Sequence, residues 1–219
     1  MVPHVSFQPT LFDGPPVSFD GAFSSLERVE LDSASWVDLA PGWVSGSDRL
    51  FAQLLEGREW GQRERWMYDR KVIEPRLTST WDEASGEPLE PAILDRMRLV
   101  LSARYGVLFD SAGFNLYRDG RDSVAWHGDK IEKGEQEPIV ALVSLGEPRK
   151  FLLRPKGGGR SRSFLSGRGD LLVMGGKAQR TWEHAVPKVA RAGPRLTVAF
   201  RYSLDPRAYA GKRRVEPDR

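Results

Sequence analysis

The chain has 219 residues, of which 40% are hydrophobic, and it contains no cysteine. This length suits one well-buried domain, and without cysteine the chain can form neither disulfide bonds nor thiolate metal sites, so a bound metal must be held by nitrogen and oxygen. No signal-peptide pattern and no run of about 18 apolar residues occurs, which predicts a soluble, cytoplasmic protein with no membrane partner. We also expect the protein to be a monomer.

The net charge of +3 conceals an asymmetry. Residues 149–219 carry 18 Lys and Arg against 5 Asp and Glu, a net charge of +13, which leaves 15 against 25, or −10, for residues 1–148. A basic half favours a polyanionic partner such as nucleic acid, because contacts of Lys and Arg with phosphates supply most non-specific affinity. Segregation of ordinary surface charges explains the pattern equally well.

Residues 1–20 are rich in Pro, Gly and polar residues and predict a flexible N-terminal arm. Within it, Gln8, Leu11 and Phe12 form a Gln-x-x-Leu-Phe peptide. It resembles the motif by which bacterial repair and replication proteins dock on the sliding clamp. The Leu-Phe pair would equally serve to attach the arm to the core, and so short a match does not separate the two roles.

Residues 21–105 combine strand patterns with two helices. The stretch from Trp36 to Ala40 predicts a strand. A first helix follows, with Ser47 as the expected N-cap and apolar residues at i, i+3/i+4 spacing until Gly57 ends it. The clearest helical pattern runs from Pro91 to Tyr105.

Residues 106–205 lack helical periodicity and predict eight short strands separated by Gly- and Pro-containing turns. Such a series predicts a mainly β (α+β) protein with a closed or double-sheet β fold. The polar tail, residues 206–219, is expected to be disordered. The predicted strands are Phe114 to Tyr117, Ser123 to His127, Ile139 to Leu145, Lys150 to Arg154, Arg162 to Leu165, Asp170 to Met174, Gln179 to His184 and Arg195 to Tyr202.

His127 and Asp129 are candidate metal ligands, because residues two positions apart on a strand project from the same face. The chain has three histidines, so the third ligand must be His184 or His4, and the sequence around His184 favours it. Two histidines and one carboxylate form the facial triad that binds non-haem Fe(II) and leaves three positions open. A lone histidine is more often a surface or core residue; the combination is what favours iron.

The last predicted strand carries two arginines on one face. Its apolar residues alternate on the other face, so Arg195, Thr197 and Arg201 point the opposite way. Inward-facing arginines are costly unless they pair with anions, because a guanidinium cannot lose its charge. They predict a bound carboxylate ligand, and ion pairs with Asp or Glu within the protein are the alternative.

This ordered set of motifs, over about residues 45–203, resembles the AlkB family of Fe(II)/2-oxoglutarate-dependent dioxygenases, which repair alkylated nucleobases, and is closer to its animal-type members. The resemblance implies a single dioxygenase domain at residues 21–205. It has a double-stranded β-helix (jelly-roll) core at 106–205, and an N-terminal extension at 21–105 that includes helices and a nucleotide-binding lid. The matching pieces are Asn115-x-Tyr117, His127-x-Asp129, Ser144-Leu145-Gly146, Gly169-Asp170, His184 with Pro187, Arg195 to Arg201 and, in the lid, Pro75-Arg76-Leu77-Thr78 with Trp81.

The resemblance also implies the roles of the site residues. His127, Asp129 and His184 would ligate Fe(II). The cosubstrate 2-oxoglutarate would pair with Arg195 through its distal carboxylate, and its lateral contacts would come from Asn115, Tyr117, Thr197 and Arg201. Thr197 stands where many members have Asn, so that contact would be shorter or absent. The implied reaction uses O₂ to dealkylate bases such as N1-methyladenine and N3-methylcytosine in DNA, and releases formaldehyde, succinate and CO₂.

A base must leave the helical stack to reach such a site, which therefore needs aromatic walls. Trp81 from the lid, Trp182 from the strand of His184 and the ring of His127 are the candidates, and Arg76 would contact the nucleotide. Ile131 stands where many members carry an acidic residue, which leaves the choice of base open. An RNA demethylase, a hydroxylase of a non-nucleic-acid substrate and a non-catalytic damage-binding module are the alternatives.

Overall fold

The computed structural model describes residues 15–67, 70–129 and 137–202. The clamp-like peptide at residues 8–12, His4, Ile131 and the polar tail from residue 206 lie outside the described residues. No helix in the described ranges is both long enough and apolar enough to cross a membrane.

Within the described ranges, two antiparallel sheets form the core of the fold, and three helices accompany them. The helices are α1 (Ser47–Gly57), α2 (Ile93–Tyr105) and α3 (Ala178–Thr181), with one 3-10 turn at Glu83–Ser85. The strands are β1 (Ser18–Phe19), β2 (Glu27–Glu30), β3 (Ser35–Ala40), β4 (Val44–Ser45), β5 (Glu64–Met67), β6 (Arg70–Ile73), β7 (Leu77–Asp82), β8 (Ser111–Tyr117), β9 (Val124–His127), β10 (Val140–Gly146), β11 (Arg149–Pro155), β12 (Arg162–Ser166), β13 (Asp170–Gly176), β14 (Trp182–Val186) and β15 (Arg195–Arg201).

The major sheet has the order β2-β3-β13-β10-β15-β8-β7, and the minor sheet has the order β12-β11-β14-β9. From β8 to β11 the chain alternates between the major and minor sheets, and from β12 to β15 it alternates in the opposite sense. This winding is the jelly roll, and the predicted fold class is confirmed. Two small hairpin-like pairs, β1 with β4 and β5 with β6, lie outside these sheets.

The segment predicted as an N-terminal extension contributes three of the seven strands of the major sheet, namely β2, β3 and β7. Strand β3 pairs with β13 over six residues, from Ser35 opposite Gly176 to Ala40 opposite Leu171. Strand β7 covers the free edge of β8 at the other end of the sheet. Residue 105 therefore does not separate two structural units, because both parts of the chain share one hydrogen-bonded sheet.

Strand β10 is buried along its whole length, which explains its nearly unbroken apolar sequence. One of its faces, with Ala141, Val143 and Leu145, joins the apolar core that includes buried residues of α1 and α2. The other face, with Val140 and Leu142, joins a second core between the two sheets. Leu142, Phe151 and Val186 of this second core also line a cavity, in which polar residues of both sheets lie beside them.

The helix predictions need two corrections. Helix α1 begins at Ser47, but its N-cap is Gly46 at a φ of 67°, and no side chain caps the helix. A Cβ at Gly46 would lie 2.6 Å from the carbonyl oxygen of Pro15, so this close approach requires glycine. The predicted strand from Gln179 to His184 is wrong in its first half, where the helical turn α3 precedes β14. The Lys156 ammonium stabilises this turn by donating to the carbonyls of residues 179 and 180.

Gly175 should be intolerant of any side chain. It lies in β13, and a Cβ there would be 2.1 Å from Cζ2 of Trp36. The Trp36 ring is confined because the Arg28 guanidinium lies 3.8 Å from its centroid and the Tyr105 ring stacks at 6.0 Å. We therefore expect Gly175→Ala to lower the free energy of unfolding by about 1–3 kcal/mol, measured by urea denaturation.

Gly57→Ala is the matched control for this substitution. No atom lies within 4 Å of a Cβ at Gly57, and the residue belongs to α1, where alanine is favoured over glycine. Its free energy of unfolding should stay the same or rise by up to about 1 kcal/mol. Equal effects of the two substitutions would contradict the packing of Trp36 described here.

Candidate metal centre

His127, Asp129 and His184 meet in the space between the two sheets. One ligand atom from each lies within 4.8 Å of the others, an arrangement that could hold a metal ion. His127 ends β9 and His184 is the middle residue of β14, and their Cα atoms are register partners in the minor sheet. The two imidazole centroids are 4.2 Å apart. Strand pairing thus unites residues that are 57 positions apart in the sequence.

Both histidines are prepared for coordination. His127 Nδ1 lies 2.8 Å from the carbonyl oxygen of Ala125. A carbonyl can only accept, so Nδ1 carries the proton and Nε2 is left as the ligand atom. Burial, followed by the neighbouring His127, lowers the pKa of His184 to about 3, so this imidazole is neutral at physiological pH. The Phe151 ring stacks on it with centroids 5.3 Å apart.

Asp129 is held by Arg201 of the major sheet. Arg201 donates from Nε to Oδ2 at 3.0 Å and from Nη2 to Oδ1 at 3.3 Å. Burial raises the pKa of Asp129, but the charge and the hydrogen bonds of Arg201 act most strongly against it, so the net pKa lies below its ordinary value and the carboxylate is ionised. The site thus offers two imidazole nitrogens and one anionic oxygen, a donor set suited to Fe(II).

Two glycines leave space for side chains around the candidate ligands, and neither role was predicted from the sequence. A Cβ at Gly113 in β8 would lie 3.0 Å from Nη1 of Arg201, so the absence of a side chain there leaves space for the guanidinium. Gly128, which lies between His127 and Asp129 just after β9, is under the Lys156 side chain, whose Cε and Nζ would be 3.2 Å from a Cβ. Glycine inside a strand, as at Gly113, signals a close approach, but the approaching residue is visible only in the structure.

Four of the residues predicted to hold 2-oxoglutarate lie on the neighbouring strands β8 and β15, where they form two cross-strand pairs. Tyr117 lies opposite Arg195, and Asn115 lies opposite Thr197. All four line the same cavity of about 810 Å³ as the three candidate ligands, and Arg201 lines it as well.

Arg195 is a buried cation without an ion-pair partner in the part of the chain that the structure describes. It is 1% exposed, and it donates from Nη2 to the Ser144 hydroxyl at 2.9 Å and from Nε to the Ser166 carbonyl at 3.4 Å. Its guanidinium carbon lies 5.3 Å from the centroid of the Tyr117 ring, and Asp170 attracts the charge without forming an ion pair with it. Burial lowers its pKa, which reflects the cost of keeping this charge in the interior. The Thr197 hydroxyl is also buried and, within the described ranges, has no hydrogen-bond partner.

These features fit the cofactors implied by the sequence. A carboxylate of 2-oxoglutarate would neutralise Arg195 and accept from Thr197, and the His-Asp-His group would hold Fe(II) beside it. The alternative from the sequence, ion pairs of both arginines with protein carboxylates, holds for Arg201 with Asp129 but not for Arg195 among the described residues.

Arg76, for which the sequence predicts a contact with the nucleotide, lines the cavity, and that role stays a prediction. It is 9% exposed, and its Nη2 lies 3.3 Å from Oε2 of Glu74. Its Nε is buried without a hydrogen-bond partner among the described residues, so the guanidinium retains a donor for a ligand.

The structure does not bring the two tryptophans predicted as base-binding walls to the cavity. Trp81 lies in β7 instead of a loop, packs against the core on the helix side of the major sheet, and donates from Nε1 to the Glu87 carbonyl at 2.8 Å. Trp182 faces inward like His184 but packs in the core between the sheets, where Nε1 donates to Asp32 Oδ2 at 2.6 Å. Neither lines the cavity, and each indole is held in place by its own hydrogen bond.

Comparisons with known proteins agree with the family resemblance of the sequence motifs. Residues 51–215 match the 2OG-Fe(II) oxygenase superfamily. Alpha-ketoglutarate-dependent dioxygenase alkB homolog 3 from Bos taurus is 32% identical over 188 residues, which cover 76% of this chain and 66% of that protein. The homolog from Rattus norvegicus is 30% identical, with 83% and 69% covered. DNA oxidative demethylase ALKBH2 from Arabidopsis thaliana is 36% identical over 149 residues, with 57% and 46% covered.

Solved structures support the fold alone, because their sequence identities are low. The structure of OsALKBH1 aligns with a TM-score of 0.57 at 18% identity and covers 80% of this chain and 99% of that one. A 2OG-Fe(II) oxygenase family oxidoreductase from Burkholderia pseudomallei aligns with a TM-score of 0.51 at 16% identity, with 77% and 85% covered.

Arg195→Met provides a test of the buried cation. Methionine removes the uncompensated charge and keeps an unbranched side chain, so the ligand-free protein should be at least as stable in urea denaturation as the wild type. Affinity for 2-oxoglutarate should fall by roughly 10- to 100-fold, because a charge-assisted hydrogen bond contributes about 1.5–3 kcal/mol. Isothermal titration with Mn(II) present measures this affinity without turnover.

The exposed Arg49 of α1 offers a matched control, and Arg49→Met should leave the affinity for 2-oxoglutarate unchanged. A strongly destabilised Arg195→Met protein that still binds 2-oxoglutarate normally would assign Arg195 to the structure instead of the ligand.

Proposed function

Because the chain belongs to the AlkB family of Fe(II)/2-oxoglutarate-dependent dioxygenases, we propose that it oxidatively dealkylates N-alkylated bases in DNA. One observation carries the proposal: the His127, Asp129 and His184 cluster shares a cavity with Arg195, a buried cation without an ion-pair partner among the described residues. The chain spans 66% of the length of the cattle relative, so its activity is inferred from its own residues as well as from that likeness.

In this proposal, each residue has a defined task. His127, Asp129 and His184 hold Fe(II), which supplies the activation of O₂ and the oxidation of the alkyl carbon. Arg195 binds the distal carboxylate of 2-oxoglutarate and so directs the other end of the cosubstrate towards the metal. Arg201 orients Asp129 through two hydrogen bonds and keeps its carboxylate ionised.

The location of these groups between two sheets serves the chemistry. The apolar residues Leu142, Phe151 and Val186 line the cavity beside the polar ones and limit the water near the metal. The hydroxylated alkyl group then leaves the base nitrogen as formaldehyde, and 2-oxoglutarate leaves as succinate and CO₂. The protein's contribution is to position the reacting groups and to place fixed charges around them.

DNA is the proposed substrate for two reasons. Relatives from Arabidopsis thaliana and Homo sapiens bear the name DNA oxidative demethylase, and the C-terminal part of this chain is strongly basic. With Trp81 and Trp182 held elsewhere, we propose that the flipped base rests on the His127 ring and that Arg76 donates to the nucleotide. N1-methyladenine and N3-methylcytosine are the lesions we expect to be repaired.

The decisive assay supplies the intact protein with Fe(II), 2-oxoglutarate, O₂ and a single-stranded DNA oligonucleotide that carries N1-methyladenine or N3-methylcytosine. We expect equal amounts of formaldehyde, succinate and repaired base. Production of neither formaldehyde nor succinate would refute the proposal. A matched RNA oligonucleotide distinguishes the RNA demethylase alternative, and repair of RNA alone would reassign the substrate.

Asp129→Ala should abolish turnover, because it removes the anionic metal ligand and leaves Arg201 without its partner. Binding of the methylated oligonucleotide, measured by fluorescence anisotropy, should fall by less than about tenfold, since phosphate contacts supply most of the affinity. Arg49→Met again serves as the control with normal turnover. An active Asp129→Ala protein would contradict the proposed ligand set.

We further propose that the protein is a cytoplasmic monomer that docks on a sliding clamp through Gln8, Leu11 and Phe12. The support is the Gln-x-x-Leu-Phe sequence alone. Surface plasmon resonance with an immobilised bacterial sliding clamp should show binding that the double substitution of Leu11→Ala and Phe12→Ala removes. The absence of binding by the intact protein would dismiss this role.

A further inference from the structure

The pairing between the two strands that carry the histidines is irregular. Along β9 and β14, His127 lies opposite His184 and Val124 lies opposite Val186, so three steps on one strand match two on the other. Such a register shift interrupts the ladder of main-chain hydrogen bonds. Strand β9 is also short and lies at the edge of the minor sheet. Main-chain pairing alone therefore fixes the spacing of the two histidines weakly.

Arg149 connects the two histidine strands by side-chain hydrogen bonds, near the place where their main-chain pairing is irregular. It begins β11, is 2% exposed, and donates from Nη1 to the Asp119 carbonyl at 3.1 Å and from Nη2 to the Asp122 carbonyl at 3.0 Å. Nη2 also donates to the carbonyl of Pro187 at 2.6 Å. Asp119 and Asp122 belong to the loop between β8 and β9, and Pro187 directly follows β14. One guanidinium thus ties the entry of one histidine strand to the exit of the other.

The loop that accepts hydrogen bonds from Arg149 is itself held by further hydrogen bonds and an ion pair. Arg118 and Asp122 close it with an ion pair, from Nε to Oδ2 at 2.8 Å, and the Arg118 main-chain N–H donates to the same carboxylate. On its other side, the Val189 N–H donates to the Gly120 carbonyl at 2.9 Å. A Cβ at Gly120 would lie 2.4 Å from the Val189 carbonyl oxygen, so the two segments are in direct backbone contact.

We propose that Arg149 is a positioning residue for the metal centre: by joining residues 119 and 122 to residue 187, it sets the placement of β9 against β14 and thereby of His127 against His184. Arg149 does not line the cavity, and its partners are main-chain carbonyls, so it acts through the backbone without touching metal or cosubstrate. The inference rests on the proposed ligand set of His127, Asp129 and His184.

The experiment measures binding of Co(II) alone, by visible absorption, at a temperature well below unfolding. Arg149→Met keeps the length of the side chain and removes all three hydrogen bonds, and we expect its affinity for Co(II) to fall roughly tenfold or more, the usual effect of losing support around metal ligands. Arg149→Lys, which can still donate to some of the carbonyls, should lie between this variant and the wild type. Arg121→Met is the matched control, because Arg121 belongs to the same loop but has an 89% exposed side chain, and its affinity should be unchanged.

Arg149→Met that is folded by circular dichroism and binds Co(II) as tightly as the wild type would overturn the inference. If Arg149→Met does not fold, Arg149→Lys decides in its place, and wild-type affinity of that variant overturns it equally. His127→Ala separates this inference from the ligand set. If His127→Ala binds Co(II) as tightly as the wild type, the ligand set itself fails; if only His127→Ala is weakened, the ligand set stands and the role of Arg149 fails.

Discussion

The ion pair between Asp129 and Arg201 joins the two halves of the site, and the arrangement of the other groups depends on it. The histidines belong to the minor sheet, whereas the residues suited to the cosubstrate belong to the major sheet. Arg201 extends from the last strand of the major sheet over Gly113 to the carboxylate that follows β9. An ion pair in a partly buried position is costly unless its geometry is good, and two hydrogen bonds provide that geometry here.

The charges in the cavity explain why the site requires its ligands. Asp129 offsets Arg201, but Arg195 is fully buried, and its hydrogen bonds among the described residues go to neutral oxygens of Ser144 and Ser166. A protein interior keeps such a cation only at a cost in stability. An anionic cosubstrate would neutralise this charge on binding. The buried cation therefore lowers the stability of the ligand-free protein, and it raises the affinity for the cosubstrate and orients it.

Distant parts of the chain support the strand of His184. Trp182, two residues before it, donates to Asp32 in the turn between β2 and β3, and the Lys177 N–H donates to the Ala34 carbonyl in the same turn. Lys156 holds the end of α3 from the other side. The N-terminal strands therefore do more than extend the sheet, because they hold the segment that leads into a metal ligand.

The chemistry of the site was largely readable from the sequence, because ligand identity and strand alternation are local properties. The spacing of His127 and Asp129 and the alternation from Arg195 to Arg201 predicted the same face for each set, and the jelly roll followed from eight short strands and the family resemblance. Which neighbour each side chain contacts became visible only in the folded protein, because such contacts join segments that are far apart in the sequence. Trp81 and Trp182 have the composition of a base-binding wall, yet each is held by a partner, Glu87 or Asp32, that no local pattern connects to it. The role of Arg149 could not be predicted for the same reason, because its three acceptors are main-chain carbonyls, which every residue possesses. Local spacing was enough to identify the candidate ligands, whereas the way they are held in place depends on contacts between segments that are far apart in the chain.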